Sequence, residues 1–563
     1  MGASREIVAE AAPASPPLQK PVSLEERLRR HFERATVFWW IVFSVVYFTG
    51  SYFTAQRPLW YDELFTYYLS PMPLSKLWRA LLAGVDQNPP TFYLLSAAAR
   101  KLAATAEVGL RIPSMVGMWL MFLAMFRYVR KRASPLYAWL AVVFVWSTGV
   151  LYYATEARPY GLVLGCFAWA LVAWSEAAEP NRPRWCIPLL GIALAAAGLR
   201  HAYAVLIWIP LGMGELTRSL RQRRLDWPVW AALAGPLSVF VIYVPIQRAV
   251  HGLMQYSWSK PVWGRIPESY AMYFQPVWLP LLAMLFLAGS FFLFTSQQGR
   301  KAPGLVHSGV SAQPLPLHEA VALTTLALLP VFGTILGRLF TGIFTGRYAI
   351  EAMVAFGILF GILCDRAMNG AALAGLCLCL VPVGWGTVNL LYLMSQSADP
   401  PASSQSREPR VLTERHDLLP QIERSDLPVV ISSGNLFLEF DHYASPGLAS
   451  RLHLLLDVEA AVRHTQVDLF DRGFPLMARW FPLRGELDKY SEFVAKHPHF
   501  LVYGPWDNDI AHDWLVYRLL SDHATLAALG RTDLKKNVPP WSPMQGGWQY
   551  LYLFDVTTAP PPR

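Results

Sequence analysis

The chain has 563 residues, 54% hydrophobic and 15% charged, with 22 tryptophans, 24 tyrosines and a positive mean hydropathy. This composition excludes an ordinary soluble enzyme and a disordered chain, and it is typical of a membrane protein whose aromatic residues lie at the membrane interfaces. The net charge of +9 is the usual result of Lys and Arg in cytoplasmic loops, and no basic arm with interleaved aromatic residues indicates nucleic-acid binding.

The N-terminal segment, residues 1–35, is predicted to be cytoplasmic. Residues 1–22 are rich in Ala and Pro, which favours disorder. The stretch Ser23-Leu-Glu-Glu26 is a capping-box pattern that predicts a short charged helix ending near Arg34. This helix is basic and precedes the first apolar run without a small-residue cleavage pattern. That run is therefore predicted to be an uncleaved membrane anchor.

The first long apolar segment, residues 36–54, is predicted to span the membrane, since about 20 apolar residues cross the hydrocarbon core. The stretch Arg57-Pro-Leu-Trp-Tyr-Asp-Glu-Leu follows it and emerges at the opposite water interface. It belongs to a predicted outer loop, residues 55–108, and carries the acidic pair Asp62 and Glu63. Charged groups at a membrane boundary are costly to place, so this pair is the first candidate for a functional site.

A second apolar stretch, residues 89–101, is predicted to lie on the outer membrane face as an amphipathic helix, because it is short and ends in Arg100 and Lys101. If it crossed the membrane, the next span would deliver four basic residues between positions 127 and 132 to the outside. That outcome would violate the positive-inside rule. With the helix kept at the interface, the basic cluster is cytoplasmic.

The remaining spans follow from the same rule, which keeps clusters of Arg and Lys in the cytoplasm. About eleven spans are predicted, within a transmembrane module at residues 36–395. They lie near residues 36–54, 109–126, 135–153, 160–177, 185–199, 202–215, 227–246, 276–295, 319–337, 348–364 and 371–394. Because the number is odd, the chain beyond residue 395 is expected on the outer side.

The C-terminal region, residues 396–563, is predicted to be a soluble α/β domain on the same side as Asp62. A polar linker rich in Pro and Ser opens it. Strand-like runs follow at Val429–Ser432, Leu452–Leu456, Phe500–Tyr503 and Tyr550–Phe554, with a helical pattern over Asp513–Leu529. At about 165 residues, the region is long enough for its own hydrophobic core.

Polar motifs gather at the predicted outer ends of the spans, and we interpret them as the lining of one water-filled cavity. They are Asp62-Glu63, Asp86-Gln-Asn-Pro-Pro90, Glu156-Ala-Arg-Pro-Tyr160, Arg200-His201, a longer segment from His251 to Tyr273, and Thr345-Gly-Arg-Tyr348. None of these motifs is specific by itself.

Each motif has a plain structural alternative. Asp62 and Glu63 could be solvated loop acids, and Arg158 or Arg347 could snorkel to the interface. His201 lacks a second His or Cys at metal spacing, which favours a structural role over metal ligation. The five cysteines lie in apolar segments, so neither a disulfide framework nor a zinc site is predicted.

The order and spacing of four motifs resemble the GT-C class of lipid-linked-sugar glycosyltransferases. The motifs are the Asp62-Glu63 pair, the Pro89-Pro-aromatic helix, Arg111-Ile-Pro-Ser at the start of the next span, and Glu156-Ala-Arg-Pro-Tyr two spans later. The most similar groups are the protein O-mannosyltransferases and the bacterial enzymes similar to the lipid A aminoarabinose transferase. The resemblance covers roughly residues 36–395.

This resemblance implies a GT-C-like fold and a hexosyl- or pentosyltransferase. Such an enzyme moves a sugar, with inversion, from a polyprenyl-phosphate carrier to a lipid, glycan or protein acceptor at the periplasmic face. The family-type base corresponds to Asp62, with Glu63 orienting the acceptor. An in-line displacement needs such a carboxylate near the acceptor hydroxyl, and cations that stabilise the departing phosphate.

Two arginines are assigned to the carrier phosphate, since a guanidinium presents a planar fork to phosphate oxygens and stays protonated. They are Arg158 and Arg347, and Glu156 is predicted to hold Arg158 or to bind a sugar hydroxyl. The other predicted substrate-binding residues are Tyr160, Asp86 and His201. The neighbouring Trp60 and Tyr61 either stack on sugar or anchor the chain at the interface.

The requirement for a metal stays open. Some members of the class use a metal near the carrier phosphate and place a charged residue just before the Pro-Pro pair. Here that position is Asn88, with Asp86 two residues earlier. A divalent cation is therefore not excluded, but no metal ligand is assigned.

Two other functions are weighed against the enzyme. A transporter or flippase of lipid-linked sugars usually has ionisable residues near the midplane and two related halves, whereas here the charges gather at one boundary. A glycan-binding scaffold would leave the clustered acids without a role. The sequence favours a multi-pass inner-membrane enzyme with a cytoplasmic N-terminus and a periplasmic C-terminal domain. We also expect that domain to cap the cavity and help select the acceptor.

Overall fold

A computed structural model describes residues 23–251, 256–274, 277–301, 314–396, 416–506, 513–534 and 550–558. The described chain forms a helical membrane region followed by a C-terminal domain built on a mixed β-sheet. Helix α1 (Leu24–Arg34) begins as predicted, since the Ser23 side chain accepts a hydrogen bond from the backbone N–H of Glu26 at 3.2 Å. Helix α2 (Thr36–Thr54) follows and matches the first predicted span.

The connection between α2 and the helix that begins at Ala106, predicted mainly as loop, contains three helices. They are α3 (Tyr61–Leu69), α4 (Leu74–Leu82) and α5 (Pro90–Arg100). Helix α5 is the short helix expected after the Pro-Pro pair, and proline suits its first position because the missing N–H would have no helical partner there. Its placement on a membrane surface stays a prediction.

The rest of the membrane region is a long series of helices, several of them broken. The α-helices are α6 (Ala106–Arg130), α7 (Pro135–Trp146), α8 (Tyr160–Ala177), α9 (Cys186–Gly198), α10 (Trp208–Gln222), α11 (Trp227–Ala234), α12 (Tyr243–His251), α13 (Arg265–Phe274), α14 (Trp278–Lys301), α15 (Leu317–Ala327), α16 (Leu329–Leu336), α17 (Ala352–Ala367) and α18 (Ala372–Gln396). Short 3₁₀ segments lie at Gly149–Thr155, Ala202–Ile207, Gly235–Ile242 and Gly346–Ala349, and a π turn lies at Gly337–Thr341.

Within the described residues, five helices are long and apolar enough to span a membrane, or up to eight if each bent helix pair forms one span. This shows a multi-pass membrane protein but does not confirm the predicted eleven spans. The predicted span at 185–199 is a helix of only 13 residues, and the one near 348–364 has 16 residues. Both are shorter than the roughly 20 residues that cross a bilayer without tilt or thinning.

Helices α6 and α8 pack with their backbones in close contact, and this packing positions the residues at their ends. A Cβ atom added to Gly117 would clash with the backbone of Gly161, and one added to Gly165 would clash with the backbone of Gly117. Small residues at such crossings let membrane helices approach closely. Beside them, the Ser114 hydroxyl donates to the carbonyl of Arg158 at 2.6 Å. The start of α8 is therefore fixed against the start of α6.

At the opposite end of α6 and α8, and near the end of α10, basic residues predicted to be cytoplasmic contact buried acids. Arg127 of α6 contacts Glu176 of α8 at 2.8 Å, and Arg218 of α10 contacts Glu215 at 2.7 Å. Buried ionic groups in a membrane region are almost always paired in this way. Part of the basic charge read from the sequence is thus neutralised within the protein.

The C-terminal domain contains a six-stranded sheet with strand order β3-β2-β1-β4-β6-β5. The strands are β1 (Val429–Ile431), β2 (Leu452–Leu456), β3 (Glu486–Lys489), β4 (His499–Gly504), β5 (Thr525–Asp533) and β6 (Tyr550–Thr557). The first four run parallel, whereas β6 pairs antiparallel with both β4 and β5. The helices are α19 (Leu419–Arg424), α20 (Gly434–Tyr443), α21 (Pro446–Ala449), α22 (Val458–Thr465), α23 (Leu469–Met477), α24 (Tyr490–Lys496) and α25 (Leu515–Ser521).

The α/β class and all four predicted strands of this domain are present, but the helical pattern over Asp513–Leu529 was wrong in its second half. Only α25 is helical there, and β5 begins at Thr525. The edge strand β3 was not predicted. Both errors fall on strands with little burial, where pairing with a neighbouring strand overrides local propensity. The predicted linker at residues 399–406 lies outside the described residues.

The hydrophobic core of the C-terminal domain continues into the connection between α2 and α6. One cluster of buried residues includes Leu64 and Leu69 of α3 together with Phe437 of α20 and Phe474 of α23. A continuous buried core makes the two parts one packed unit. Helix α3 therefore lies between the membrane helices and the C-terminal domain.

Candidate active site

Asp62 lies in the first turn of α3. Its Oδ2 atom accepts a hydrogen bond from Nη1 of Arg347 at 2.7 Å, and its carbonyl accepts one from Nη1 of Arg158 at 3.2 Å. The side chains of Asp62 and Arg347 are 17% and 15% exposed. The carboxylate is thus held at a partly open position between two arginines that come from distant parts of the sequence.

Glu63, the neighbour of Asp62, is fully buried, and its carboxylate binds the Arg111 side chain and backbone N–H groups. Its carboxylate accepts two hydrogen bonds from Arg111 and one from the backbone N–H of Ala157 at 2.7 Å. It also accepts a hydrogen bond from the N–H of Trp60 at 3.3 Å, which caps the start of α3. Burial raises its pKa, but the Arg111 guanidinium outweighs this effect and keeps the pKa below its usual range.

Arg111 organises the chain that leads to Asp62. Besides its two bonds to Glu63, it donates to the carbonyls of Ala55, Arg57 and Pro58 at 2.6 to 2.9 Å. All five N–H groups of the guanidinium are therefore used. The sequence placed Arg111 in a motif but gave it no role. Its position near the start of a membrane helix indicates that Arg111 needs an acidic partner, because an unpaired charge is costly there.

Arg158 forms a second ion pair beside Asp62. Its Nη1 contacts Oδ2 of Asp86 at 2.7 Å, and Nη2 contacts Oδ1 at 3.3 Å. Asp86 also accepts hydrogen bonds from the Tyr93 hydroxyl and from the N–H of Gln87. Burial raises the pKa of Asp86, yet the arginine and these donors together lower it below its usual range. Asp86 is therefore a fixed counter-ion that orients the guanidinium of Arg158.

Glu156 is a buried acid without a hydrogen-bond partner for its Oε2 atom among the described residues, and the whole residue is 1% exposed. Burial raises its pKa to about 7, and the Arg347 charge offsets only part of that rise. No hydrogen bond to Arg158, the partner predicted from the sequence, is formed in the described structure. Near neutral pH the Glu156 carboxyl is therefore divided between its protonated and ionised forms.

Four aromatic rings surround the Arg347 guanidinium, with centroids 5.7 to 5.9 Å from its Cζ atom. They belong to Trp60, Tyr160, Trp258 and Tyr348. His201 lies against this group, with its ring centroid 5.4 Å from that of Tyr160 and 5.1 Å from that of Tyr348. Burial, reinforced by the nearby arginines, lowers the pKa of His201 to about 3, so the imidazole is neutral.

The eight residues selected from the sequence thus lie in one connected cluster. Polar atoms in this cluster are buried without a hydrogen-bond partner from the described chain. They are Oε2 of Glu156, Nε of Arg158, Nε of Arg347 and Nε1 of Trp60. Buried polar groups in native proteins are nearly always satisfied by protein, water or ligand. Both donors and an acceptor are therefore available here for a polar molecule.

The acids around Asp62 do not form a group with metal-ligand spacing in the part of the chain that the structure describes. The only His, Cys, Asp and Glu group with metal-ligand spacing in the described part of the chain consists of His453, Glu486 and Asp488. This group lies on β2 and β3 of the C-terminal domain. Near the site, Asp62 and Asp86 are each paired with an arginine. We therefore derive no chemical step through a metal.

The cluster can perform two chemical tasks side by side. A carboxylate that is partly open to solvent, Asp62, can accept a proton from a hydroxyl group. Two guanidinium groups, from Arg158 and Arg347, can stabilise negative charge that develops on a phosphate. Rings from Trp60 and Tyr160 offer flat apolar faces of the kind that stack on sugars or prenyl groups.

The raised pKa of Glu156 predicts a stability change with a defined sign. Its pKa is about 7 in the folded protein against an ordinary value of 4.5. Protonation therefore stabilises the fold fully below pH 4.5, and this contribution is lost as the pH rises through 7. Glu156→Gln, which stays neutral, is expected to be more stable than the wild type at pH 8 by up to about 3 kcal/mol, and to match it at pH 4.5.

Thermal unfolding of the purified protein in detergent, followed by tryptophan fluorescence, measures this difference. The matched control is Glu268→Gln, because Glu268 is exposed and its side chain pairs with Arg265 on the surface. It is expected to change Tm little at either pH. If Glu156→Gln were less stable than the wild type at pH 8, the ionised Glu156 carboxylate would have a stabilising partner, and the prediction would be wrong.

The fold has known counterparts. ArnT from Cupriavidus metallidurans in the apo state matches over 93% of this chain and 98% of its own, with a TM-score of 0.50 and 13% sequence identity. The crystal structure of the same protein bound to undecaprenyl phosphate matches over 94% of this chain and 99% of its own, with a TM-score of 0.47 and 14% identity. No family model and no curated protein sequence matches the chain. The likeness to the first of these structures shows an ArnT-like fold, which agrees with the fold implied by the resemblance of the sequence motifs.

Proposed function

We propose that this protein is a membrane glycosyltransferase that transfers a sugar from a polyprenyl-phosphate carrier to a hydroxyl acceptor. Asp62 is the base, and Arg158 and Arg347 bind the carrier phosphate. The observation that carries the proposal is the direct contact of Asp62 with Arg347, beside the Arg158–Asp86 pair. The Asp62 carboxylate and carbonyl thus each contact an arginine guanidinium, which supports a base next to two groups able to bind phosphate. The ArnT-like fold supports a membrane glycosyltransferase.

The proposed reaction is a single displacement with inversion. The acceptor oxygen attacks the anomeric carbon of the sugar, and the proton of the acceptor hydroxyl moves to the Asp62 carboxylate. The bond between the anomeric carbon and the phosphate oxygen breaks, and its electron pair stays on that oxygen. The carrier phosphate changes from a singly charged diester to a monoester with more negative charge. Arg158 and Arg347 stabilise that added charge.

In the described structure the Arg347 guanidinium donates a hydrogen bond to the Asp62 carboxylate, and this oxygen is then not available to accept a proton from the acceptor. Arg347 still has its Nε unpaired within the described chain, so it has a free donor for an incoming phosphate. A phosphate oxygen competes with the carboxylate for the same guanidinium. Donor binding is therefore expected to weaken the Arg347–Asp62 pair and release the carboxylate for the acceptor. Arg158 keeps its orientation, because Asp86 holds it from the other side.

The other acids divide into different roles under this proposal. Glu63 keeps the backbone before Asp62 in place through Arg111 and does not touch the substrate, in contrast to its predicted role in orienting the acceptor. Glu156 has an unpaired buried oxygen and is proposed to bind a sugar hydroxyl. Tyr160 and His201 provide a neutral aromatic wall next to Arg347.

The orientation in the membrane is part of the proposal. The positive-inside rule places the N-terminus in the cytoplasm and the Asp62 cluster with the C-terminal domain on the periplasmic side of the inner membrane. The acceptor is then a lipid, glycan or protein that is accessible from that side. The structure is consistent with this arrangement, because α3 packs directly on the C-terminal domain.

A direct test is to incubate the purified protein with a panel of undecaprenyl-phosphate sugars and a lipid, glycan and protein extract of the envelope. Release of undecaprenyl phosphate, measured by mass spectrometry, together with a glycosylated product supports the proposal. Movement of intact donor across vesicles without release of the carrier would instead identify a flippase. Absence of carrier release with every donor and acceptor would reject the transferase.

Arg347→Lys tests the phosphate assignment. Lysine keeps the charge but loses the planar fork that can bind Asp62 and phosphate together. We expect kcat/KM for the donor to fall about 30-fold to 100-fold, which corresponds to roughly 2 to 3 kcal/mol of transition-state stabilisation. The measurement is the rate of carrier release over a range of donor concentrations.

Arg338→Lys is the matched control for this substitution. Arg338 lies in the preceding turn, and its guanidinium also lies over an aromatic ring, that of Trp263, at 5.1 Å. It contacts none of the residues of the Asp62 cluster in the described structure. Its replacement is expected to change kcat/KM by less than about twofold. Equal losses in the two variants would remove Arg347 from the phosphate site.

A further inference from the structure

The segment just before Asp62 is held from two sides. Arg111 of membrane helix α6 binds the carbonyls of Arg57 and Pro58. The next residue, Leu59, is fully buried and donates its N–H to the hydroxyl of Tyr443 at 2.9 Å. Tyr443 belongs to α20 of the C-terminal domain. The chain therefore reaches Asp62 between a membrane helix and the C-terminal domain.

The Tyr443 hydroxyl is buried and both donates and accepts a hydrogen bond. Its side chain is buried, with 2% of its surface exposed. The hydroxyl accepts from Leu59 and donates to Oε1 of Glu107 at 3.2 Å, so both of its hydrogen-bonding functions are used. Glu107 lies in the first turn of α6, one turn before Arg111. The hydroxyl thus ties three chain segments together at one point.

Side-chain packing extends this contact to the residue adjoining Asp62. The Tyr61 ring lies edge-on to Phe470 of α23, with centroids 5.6 Å apart. One turn further along α3, Phe65 lies edge-on to Phe481 at 5.4 Å. Tyr61 and Phe65 are four residues apart and therefore share a face of α3. The C-terminal domain covers that face, while Glu63 binds Arg111 of α6 and Thr66 donates to the carbonyl of Ala157, just before α8.

A second hydrogen bond anchors the other end of α3 to the same domain. The Tyr68 hydroxyl lies 2.9 Å from Nδ1 of His442, and its ring stacks on Phe481 with centroids 4.9 Å apart. His442 is the residue next to Tyr443 on α20. The helix that carries Asp62 is therefore fixed to α20 both before its first turn and at its last turn.

We infer that the C-terminal domain positions the base of the reaction: Tyr443 fixes the backbone at Leu59 and so holds Asp62 at its place beside Arg347. This inference rests on the proposed function of Asp62. It assigns the domain a role in the transfer step for every acceptor, in addition to any role in selecting one. Tyr443 is a positioning residue, since it acts on Asp62 through the backbone and does not touch the reacting atoms.

The reaction geometry makes this role measurable. A displacement of the base by about 1 Å can slow a positioned reaction by up to about a hundredfold, while substrate binding changes much less. Without the Tyr443 hydroxyl, the buried N–H of Leu59 loses its acceptor, and a buried donor without a partner tends to shift toward water or another acceptor. The first turn of α3 then loses one of its two supports.

The experiment compares Tyr443→Phe with Tyr503→Phe in the full-length protein. Tyr503 is also a fully buried tyrosine of the C-terminal domain, and its hydroxyl is paired with Nδ1 of His416 at 2.9 Å. We expect Tyr443→Phe to lower kcat about tenfold with KM for the donor changed less than twofold, for each acceptor that the wild type uses. Tyr503→Phe is expected to keep kcat within twofold.

Hydrogen exchange provides a readout that does not depend on activity. Peptides that cover residues 57–63 are expected to exchange faster in Tyr443→Phe than in the wild type. In Tyr503→Phe the exchange rate of the same peptides is expected to equal that of the wild type. Equal kcat and equal exchange in the two variants would overturn the inference. If the wild type transfers no sugar at all, the proposed function fails, but faster exchange at residues 57–63 would still confirm the structural support by Tyr443.

Discussion

Asp62→Asn is expected to reduce sugar transfer by about a hundredfold to ten-thousandfold. The amide is nearly isosteric with the carboxylate but cannot accept the acceptor proton, and a positioned general base contributes about 10²- to 10⁴-fold to a rate. The substitution also removes the negative charge that faces Arg347. Donor binding is therefore expected to be kept or to become tighter, because Arg347 no longer has a competing carboxylate.

The measurement combines carrier release with donor binding by the same purified protein. Asp226→Asn is the matched control, since Asp226 has a similarly exposed side chain, 15%, and contacts Arg182 at the same distance of 2.7 Å. It lies between α10 and α11, far along the chain from the proposed site, and should transfer sugar within about twofold of the wild type. Equal turnover by wild type and Asp62→Asn would remove Asp62 as the base, even if the protein proves to be a transferase.

Glu63→Gln is expected to destabilise the protein by about 3 to 5 kcal/mol, because it leaves the fully buried Arg111 without its counter-ion. The pKa of Glu63 lies below its ordinary value of 4.5. Its stabilising charge is thus fully present above pH 4.5 and is lost as the pH falls through the lower, folded-state value. The difference in Tm between wild type and variant should accordingly be full at pH 7 and smaller in acid.

The control for this prediction is again Glu268→Gln. Glu268 contacts Arg265 at 2.9 Å but has a side chain that is 59% exposed. An exposed pair of this kind contributes about 0 to 1 kcal/mol. If Glu63→Gln lowered Tm no more than Glu268→Gln does, the Glu63–Arg111 pair would not be the support of the α2–α3 connection. A stable Glu63→Gln protein with normal kcat would lead to the same conclusion.

For the adjacent acids Asp62 and Glu63, the sequence predicted a functional position but not the different surroundings of the two side chains. The position of Asp62 and Glu63 beyond the first span marked both as functional candidates. Their different environments follow from α3, a helix that turns Glu63 toward Arg111 and Asp62 toward Arg347. Adjacent residues of a helix point about 100° apart, so the direction of each depends on the helix and its neighbours. The role of Asp62 as the base and the structural role proposed for Glu63 both stay predictions.

The C-terminal domain shows a comparable division. Runs of apolar and β-branched residues predicted β1, β2, β4 and β6, because these strands are largely buried. The strand β5 has mostly exposed residues such as Ala527 and Ala528, whose local pattern favours a helix. It is a strand because it pairs along β6. Whether this domain also selects the acceptor, as predicted, is a separate question from its proposed role through Tyr443.

The sequence by itself determined a multi-pass membrane protein, the α/β class of its C-terminal domain and a set of charged residues near the ends of the predicted spans. Hydropathy and charge are properties of short segments, so they can be read without knowing what each segment contacts. The tertiary structure alone decided that Asp62 meets Arg347 across 285 residues, that Glu63 is buried on Arg111, and that Glu156 has an unpaired oxygen in the described chain. These facts depend on which helices pack together, because the partner of a buried charge is chosen by packing and not by its neighbours in the sequence.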